Sequence, residues 1–233
     1  MLVPGRSSYL QFESISGGLK ADARIRTARR SAIQLFLRRM IDLLVSSALL
    51  LLLPLPFFPL LAILVKLSSE GSIFYRWQVL GRNGRYLTGY KFRTMLKSGD
   101  AIKPRLLARN EMSGQVFKIK NDPHLIRAGR WLRTNSLDEL PQPWSVLRGD
   151  TSPVGPGPPL QTEWPRFSEL QKLKLSFEPG ITCLWQASGR NRIKTLDKWV
   201  KLDLKYIRGW SLWLDLKILI QTIPAALTGR GAS

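Results

Sequence analysis

The sequence predicts an α+β fold, largely helical, joined to an apolar membrane element near the N-terminus. Three observations predict it. Leu43 to Val65 is an uncharged, almost wholly apolar run, longer than a soluble core helix needs and interrupted by Pro54, Pro56 and Pro59. Around Ile73, Tyr75 and Trp77 the residues alternate as in a strand, with a turn and a second apolar stretch behind them. Further on, apolar residues recur with helical spacing in several segments.

Residues 1–35 are polar and basic, with several serines and Gly17-Gly18, and read as a loosely ordered arm. Residues 36–67 form the membrane element. Arg24, Arg26, Arg29, Arg30, Arg38 and Arg39 precede its apolar run; Lys66, Arg76, Arg82, Arg85, Lys91 and Arg93 follow it. Basic residues favour the cytoplasmic side of a membrane, so both ends are drawn to one face. One straight span cannot satisfy that. Pro56 has no N–H, and its ring clashes with the carbonyl of Leu52, so a helix breaks near it. Two readings fit: a helix that dips in and returns, and a transmembrane helix kinked by proline. A signal peptide is not expected, because the run begins only at Leu43 and no small-residue cleavage site follows.

Residues 68–233 read as one cytoplasmic domain. A short strand within Glu70 to Val79 leads into the turn Gly81-Arg82-Asn83-Gly84-Arg85, and Tyr86 to Phe92 returns as a second strand. Residues 96–121 read as loop. Helices are predicted over Leu125–Leu132, Arg166–Leu175, Leu196–Ile207 and Ser211–Leu227. In the last, Trp210 and Trp213 beside Leu214, Ile218 and Leu219 read as an interfacial anchor or as a core helix.

The net charge of +20 calls for an anionic partner: lipid headgroups, nucleic acid or a phosphate-rich substrate. The adjacent apolar run favours lipid. The aromatic residues do not interleave with lysine and arginine as a stacking platform would, so nucleic acid is not expected. A single cysteine, Cys183, allows no intrachain disulfide, and a single histidine, His124, leaves no zinc site of His/Cys type. A metal here would be a hard cation on carboxylates, such as magnesium.

The densest chemistry lies in Asn135-Ser136-Leu137-Asp138-Glu139-Leu140-Pro141-Gln142. Ser136 and Glu139 have the spacing of a capping box, which would make the acids ordinary first-turn residues. The same helix N-terminus would favour an ionised Asp138, as a nucleophile or metal ligand needs. Arg127, Arg130 and Arg133 stand upstream and Arg148 downstream, a setting suited to a diphosphate. Adjacent helical residues diverge by about 100°, so Asp138 and Glu139 would act on different parts of a substrate.

The ordered blocks of the chain resemble the bacterial sugar transferases, the monotopic polyprenyl-phosphate phosphoglycosyl transferases of exopolysaccharide and O-antigen priming. They are Lys91-Phe92-Arg93-Thr94-Met95, Asn121-Asp122-Pro123, Leu132-Arg133 and Ser136 to Gln142. Val146-Leu147, Gly149-Asp150, Val154-Gly155-Pro156, Pro179 to Thr182, Leu184-Trp185-Gln186, Ser188-Gly189-Arg190 and Trp210 to Lys217 follow. The resemblance spans roughly residues 36–228, and is to the short form without the N-terminal multi-span region of the longest members. It implies a monotopic protein with a re-entrant membrane hairpin and interfacial amphipathic helices. It places the chain at the bacterial inner membrane, in contact with membrane lipids, with a catalytic domain over 68–233 on the cytoplasmic face. Self-association is a further expectation.

The resemblance also implies a reaction: transfer of a sugar-1-phosphate from a UDP-sugar to undecaprenyl phosphate. Asp138 would attack the β-phosphate, release UMP and hold the phosphosugar covalently, while Glu139 assists, for example by deprotonating the acceptor. Magnesium, with Asp138 as the protein ligand, would balance the diphosphate. Lys91, Arg93, Arg133, Gln142, Gln186 and Arg190 would bind the substrate and its phosphates. The Leu-Trp-Gln and Ser-Gly-Arg blocks are closer to members using UDP-glucose or UDP-galactose than to those using acetamido sugars.

The chain departs from the family pattern at several positions. Gly157 stands where the Val-Gly-Pro-Arg-Pro loop has arginine, and loss of one charge-assisted contact costs about 1.5–3 kcal/mol. Thr151 and Pro153 replace Met and Leu in the same loop, His124 replaces arginine, Leu55 replaces serine before Pro56, and Cys183 replaces glycine. A catalytically weakened or inactive member with a non-catalytic membrane role is the alternative reading.

Overall fold

The apolar run folds as two helices rather than one. The structure, a computed structural model, describes residues 31–52, 54–96, 122–188 and 195–227. Helix α1 is Ala32–Leu52 and α2 is Pro54–Ser68. Because α2 begins at Pro54, Pro56 lies within its first turn rather than at the helix break expected there. Both prolines fall in the first turn of α2, where a backbone N–H has no intrahelical acceptor, so their missing donors cost nothing there. Among the described residues no helix is long and apolar enough to cross a membrane.

Both arms end on the same body. Arg39 of α1 donates to the carbonyls of Val146 (2.7 Å) and Leu147 (3.0 Å), and Arg38 donates to that of Val154 at 2.8 Å. In α2, Leu61 and Val65 are buried with Phe92, Ile126 and Leu132. The Phe58 ring lies 5.0 Å from that of Phe92. The opposite faces stay bare: Leu44, Leu51, Leu60, Ile63 and Leu67 are exposed.

Strands β1 (Phe74–Leu80) and β2 (Tyr86–Phe92) pair antiparallel, from Phe74 opposite Phe92 to Leu80 opposite Tyr86, as the alternation predicts. The turn between them holds Asn83 (φ 57°) and Gly84 (φ 76°) in the left-handed region, which these two residue types tolerate best. Trp77 faces Gly89 across the hairpin.

The chain then forms α3 (Gly129–Thr134), a 3₁₀ turn (Leu137–Glu139), α4 (Pro143–Leu147), β3 (Ser152–Val154) and α5 (Glu169–Lys172). It ends with β4 (Gly180–Thr182), α6 (Leu184–Ala187), α7 (Leu196–Arg208) and α8 (Leu212–Leu227). Strands β3 and β4 pair in parallel, Ser152 with Gly180 and Val154 with Thr182. Their neighbouring loops touch main chain to main chain. A Cβ on Gly155 would lie 2.4 Å from the Glu178 carbonyl oxygen, and one on Gly180 would lie 2.0 Å from the Gly155 nitrogen.

Helices α7 and α8 match the prediction to within a residue at each end. The helix predicted over 125–132 is a correction: only 129–134 is helical. The Asp122 carboxylate accepts from the His124 backbone N–H, and the His124 ring nitrogen Nδ1 lies 2.9 Å from the same oxygen. Leu96 and Ile126 exchange backbone bonds with His124 and Thr94, so this stretch pairs as an extended segment. The helix predicted over 166–175 is reduced to α5 and a 3₁₀ turn at Leu173–Ser176, because extended Ser168 restarts the chain with its own capping box. The expected tryptophan anchor divides: Trp210 is buried and donates to Asp215 at 3.0 Å, whereas Trp213 is 72% exposed.

The larger core gathers Val154, Phe177, Val200, Leu204, Ile207 and Ile218. Arg38 enters it. Its guanidinium, 3% exposed, lies 4.5 Å from the centre of the Phe177 ring and 3.7 Å from the Asp215 carboxylate. Replacing Arg38 by methionine strips a buried carboxylate of its counter-charge. The expected loss is about 3–5 kcal/mol of stability, read by denaturant unfolding in detergent. A loss below about 1 kcal/mol would show that Arg38 does not hold α1 in place.

Candidate active site

The acid pair sits in the short turn between α3 and α4. No capping box forms: Ser136 is left-handed (φ 55°) and makes no side-chain cap, whereas a capping serine needs extended backbone. Only three residues are helical in that turn, so there is no aligned stack of peptide dipoles to stabilise an anion. The expectation of a freely ionised Asp138 is therefore corrected. Asp138 is 8% exposed. Burial, and then the adjacent Glu139 charge, push its carboxyl up from 3.8 to about 6, against the lowering effect of Lys91 and Arg133. The folded form holds its proton more tightly than the unfolded chain, so this group's contribution to stability falls as pH rises from about 3.8 to about 6.

Three elements converge here. Strand β2 supplies Lys91, whose Nζ donates to Glu139 Oε1 at 2.8 Å and lies 4.5 Å from the centre of the Trp77 ring. Helix α3 supplies Arg133, whose Nε donates to Thr94 Oγ1 at 3.0 Å. The 3₁₀ turn supplies the carboxyls. Of the predicted site residues, the structure brings Asp138, Glu139, Lys91 and Arg133 together.

The others are engaged differently. Arg93 is buried and donates to the Ser69 hydroxyl and to the carbonyls of Ser69 and Ser72, which ties down the chain leaving α2. Gln142 is buried at the start of α4 and shares the lining of a small cavity with Trp77, Ser145 and Thr151. Gln186 accepts from the Cys183 backbone N–H (3.0 Å) and Sγ (3.2 Å), capping α6. Arg190 lies outside the described residues. Arg148 lies 3.3 Å from Asp150, a carboxylate that Arg85 also approaches at 3.6 Å.

Among the described residues no three His, Cys, Asp or Glu side chains cluster as a metal cage. The donor set at the acid pair is two carboxylates, one of them held by Lys91. That suits a hard ion such as magnesium, which takes one carboxylate and completes its shell from phosphate oxygens and water.

Gly157 lies beside an aromatic stack. A Cβ there would sit 3.4 Å from Trp185 Nε1 and 4.0 Å from Cys183 Sγ, so a side chain can be built with little displacement. Trp185 stacks on Trp199 at 4.3 Å. Beneath, Lys174 Nζ meets the wholly buried Asp203 at 2.7 Å. Burial raises the Asp203 carboxyl, while Lys174 and the Gly157 backbone oppose that rise. Sequence reasoning missed this pair, whose members lie on separate elements and share no local spacing. It also missed the Trp77 ring beside Lys91, though counting outward from the turn sets Trp77 opposite Gly89.

Lys91 lowers the Asp138 carboxyl, so Lys91→Met is expected to move its titration above about 6, read from the carboxyl carbon by NMR. An unmoved titration would remove Lys91 from the field at Asp138.

Known proteins match the chain over most of its length. Residues 33–229 match the bacterial sugar transferase family. The chain is 46% identical over 165 residues to the galactosyl transferase CpsE of Streptococcus agalactiae, covering 71% of this chain and 37% of that protein. It is 39% identical over 199 residues to the exopolysaccharide production protein ExoY of Rhizobium meliloti, covering 84% and 87%. It is 37% identical over 203 residues to the undecaprenyl-phosphate galactose phosphotransferase of Salmonella typhimurium, covering 84% and 42%. The match thus spans under half of the first and third relatives and most of the second. With a site built as this one is, and a match running from the middle of the basic flank to the end of α8, the chain belongs to the bacterial sugar transferase family.

Proposed function

We propose that the chain is a phosphoglycosyl transferase that moves a hexose-1-phosphate from a UDP-sugar to undecaprenyl phosphate, in the first membrane step of exopolysaccharide synthesis. The carrying observation is a buried carboxyl, Asp138, beside a second one, Glu139, under the charges of Lys91 and Arg133. A poorly hydrated carboxylate with cations around it can attack a phosphorus atom whose oxygens one of them, Arg133, also attracts. An Asp138 oxygen forms a bond to the β-phosphorus, the bond to the bridging oxygen breaks, and UMP leaves with that electron pair. An oxygen of undecaprenyl phosphate then attacks the same phosphorus and displaces Asp138, with Glu139 as the acceptor of any proton on it. In this reading Arg133 holds the diphosphate; its position near Asp138 supports that. Magnesium, when bound, supplies further positive charge on the diphosphate, with Asp138 as its protein ligand. The names of the relatives favour galactose or glucose as the sugar.

In this reading α1 and α2 dip into the cytoplasmic leaflet of the bacterial inner membrane and return. The anchoring of both arms on one body supports it, as do their bare apolar faces and the exposed Trp213, Leu216 and Ile220 of α8. The chain's excess of basic residues complements anionic headgroups.

The test is UMP release by detergent-solubilised protein with undecaprenyl phosphate, magnesium and a panel of UDP-sugars. Turnover with one hexose donor, abolished in Asp138→Asn, is expected; full activity in that variant would refute Asp138 as nucleophile. Only the ionised carboxyl attacks, so the rate is expected to fall as pH drops through about 6. Gly157 supports a second reading, a weakened enzyme. It expects Gly157→Arg to raise turnover by roughly ten- to hundredfold; an unchanged rate would dismiss that reading.

A further inference from the structure

Lys91 was expected to bind phosphate, yet its ammonium is already held on two sides. The hairpin register sets Trp77 opposite Gly89. A Cβ on Gly89 would lie 1.9 Å from Trp77 Nε1, so the indole lies across the strand in space that only glycine leaves. Lys91 is two residues further along β2, on the same face as Gly89. Its Nζ lies 4.5 Å from the centre of the Trp77 ring and 2.8 Å from Glu139 Oε1. Its side chain and that of Glu139 are 23% and 22% exposed, so water screens the pair only in part. A lysine ammonium on a four-carbon stem is ordinarily free to choose among many rotamers. Here the aromatic face removes that freedom, and the ammonium aims one N–H at one carboxylate oxygen.

We propose that Trp77 and Gly89 form a clamp that fixes Lys91 on Glu139, making Lys91 a positioning residue for that carboxylate. The role rests on the function proposed above; the clamp does not. Lys91 then acts through Glu139. Trp77 acts through Lys91, one step further from the reacting atoms. Gly89 matters for the room it leaves rather than for its backbone.

Two measurements separate these claims. The first needs no turnover. The rate at which an amine-acylating reagent modifies Lys91 in the full chain, read by peptide mass spectrometry, reports whether the ammonium is held. It is expected to rise by about tenfold in Trp77→Leu, in Gly89→Ala and in Glu139→Gln. A rate unchanged in Trp77→Leu and Gly89→Ala overturns the clamp, whatever the activity of the wild-type protein. The second uses UMP release. Lys91→Met and Trp77→Leu are each expected to lower kcat by about tenfold or more with KM for the UDP-sugar little changed, the double variant to be no worse than Lys91→Met alone, and Lys91→Arg to recover part of the loss. A raised KM with kcat intact, or losses that multiply in the double variant, makes Lys91 a phosphate ligand and overturns the positioning role. Wild-type protein without turnover on any donor refutes the proposed function, and the acylation rates still decide the clamp.

Discussion

Everything in this fold leans on one buried cation. Arg38 sits in the middle of the larger core, between the rings of Phe177 and Trp210, donating to the Val154 carbonyl and facing Asp215. Asp215 in turn accepts from the Tyr206 hydroxyl at 2.6 Å and from Trp210. A guanidinium without such partners would not be buried, because the desolvation penalty is several kcal/mol. So the position of α1 is set by the simultaneous placement of β3, the Phe177 loop, the end of α7 and the start of α8. Burial, and then the adjacent Asp215 charge, raise the Tyr206 hydroxyl well above its ordinary range, so it stays a donor. With α1 fixed, α2 is brought onto β2 and α3, the two elements that carry Lys91 and Arg133.

The acid pair shows a different balance. Its surroundings are cationic enough to keep Asp138 usable as an anion, but burial and Glu139 keep it less stable than a surface carboxylate. The reaction proposed above would gain from that tension. A buried carboxylate has little water to shed, and Lys91 and Arg133 favour its ionised form. The fold bears the cost in stability, and the packing of Leu137 and Leu140 against the cluster of Leu61, Val65, Phe92 and Leu132 offsets it.

The hairpin, α7, α8 and the interruption of the apolar run were legible in the sequence because each rests on local chemistry: alternation, a Gly-Arg-Asn-Gly turn, helical spacing and proline. Asp138, Glu139, Lys91 and Arg133 were legible as a group through the blocks that carry them. What was illegible depends on burial and on contacts between distant elements. Arg38 reads in the sequence as one more flanking cation, and only its tertiary partners make it a core residue. Ser136 has the spacing of a cap, but its left-handed backbone follows from the way α3 hands over to the next turn. The segment at 125–128 has helical spacing, yet Asp122 and Thr94 take its backbone partners. Arg93 carries the same charge as Lys91 two residues away, but it lies just past the end of β2, where the chain leaving α2 offers it the carbonyls of Ser69 and Ser72.

The contact between Gly155 and Gly180 has one further consequence. The residue just past β3 and the first residue of β4 meet there through main-chain atoms alone, with no room for a single carbon between them. Backbone atoms are the same in every amino acid, so mutation has nothing to adjust at that crossing except to lose it. The crossing is a fulcrum. Gly157, two residues on and half-buried beside Trp185, still has room for a side chain, so a change there alters what the loop presents without altering where the loop stands.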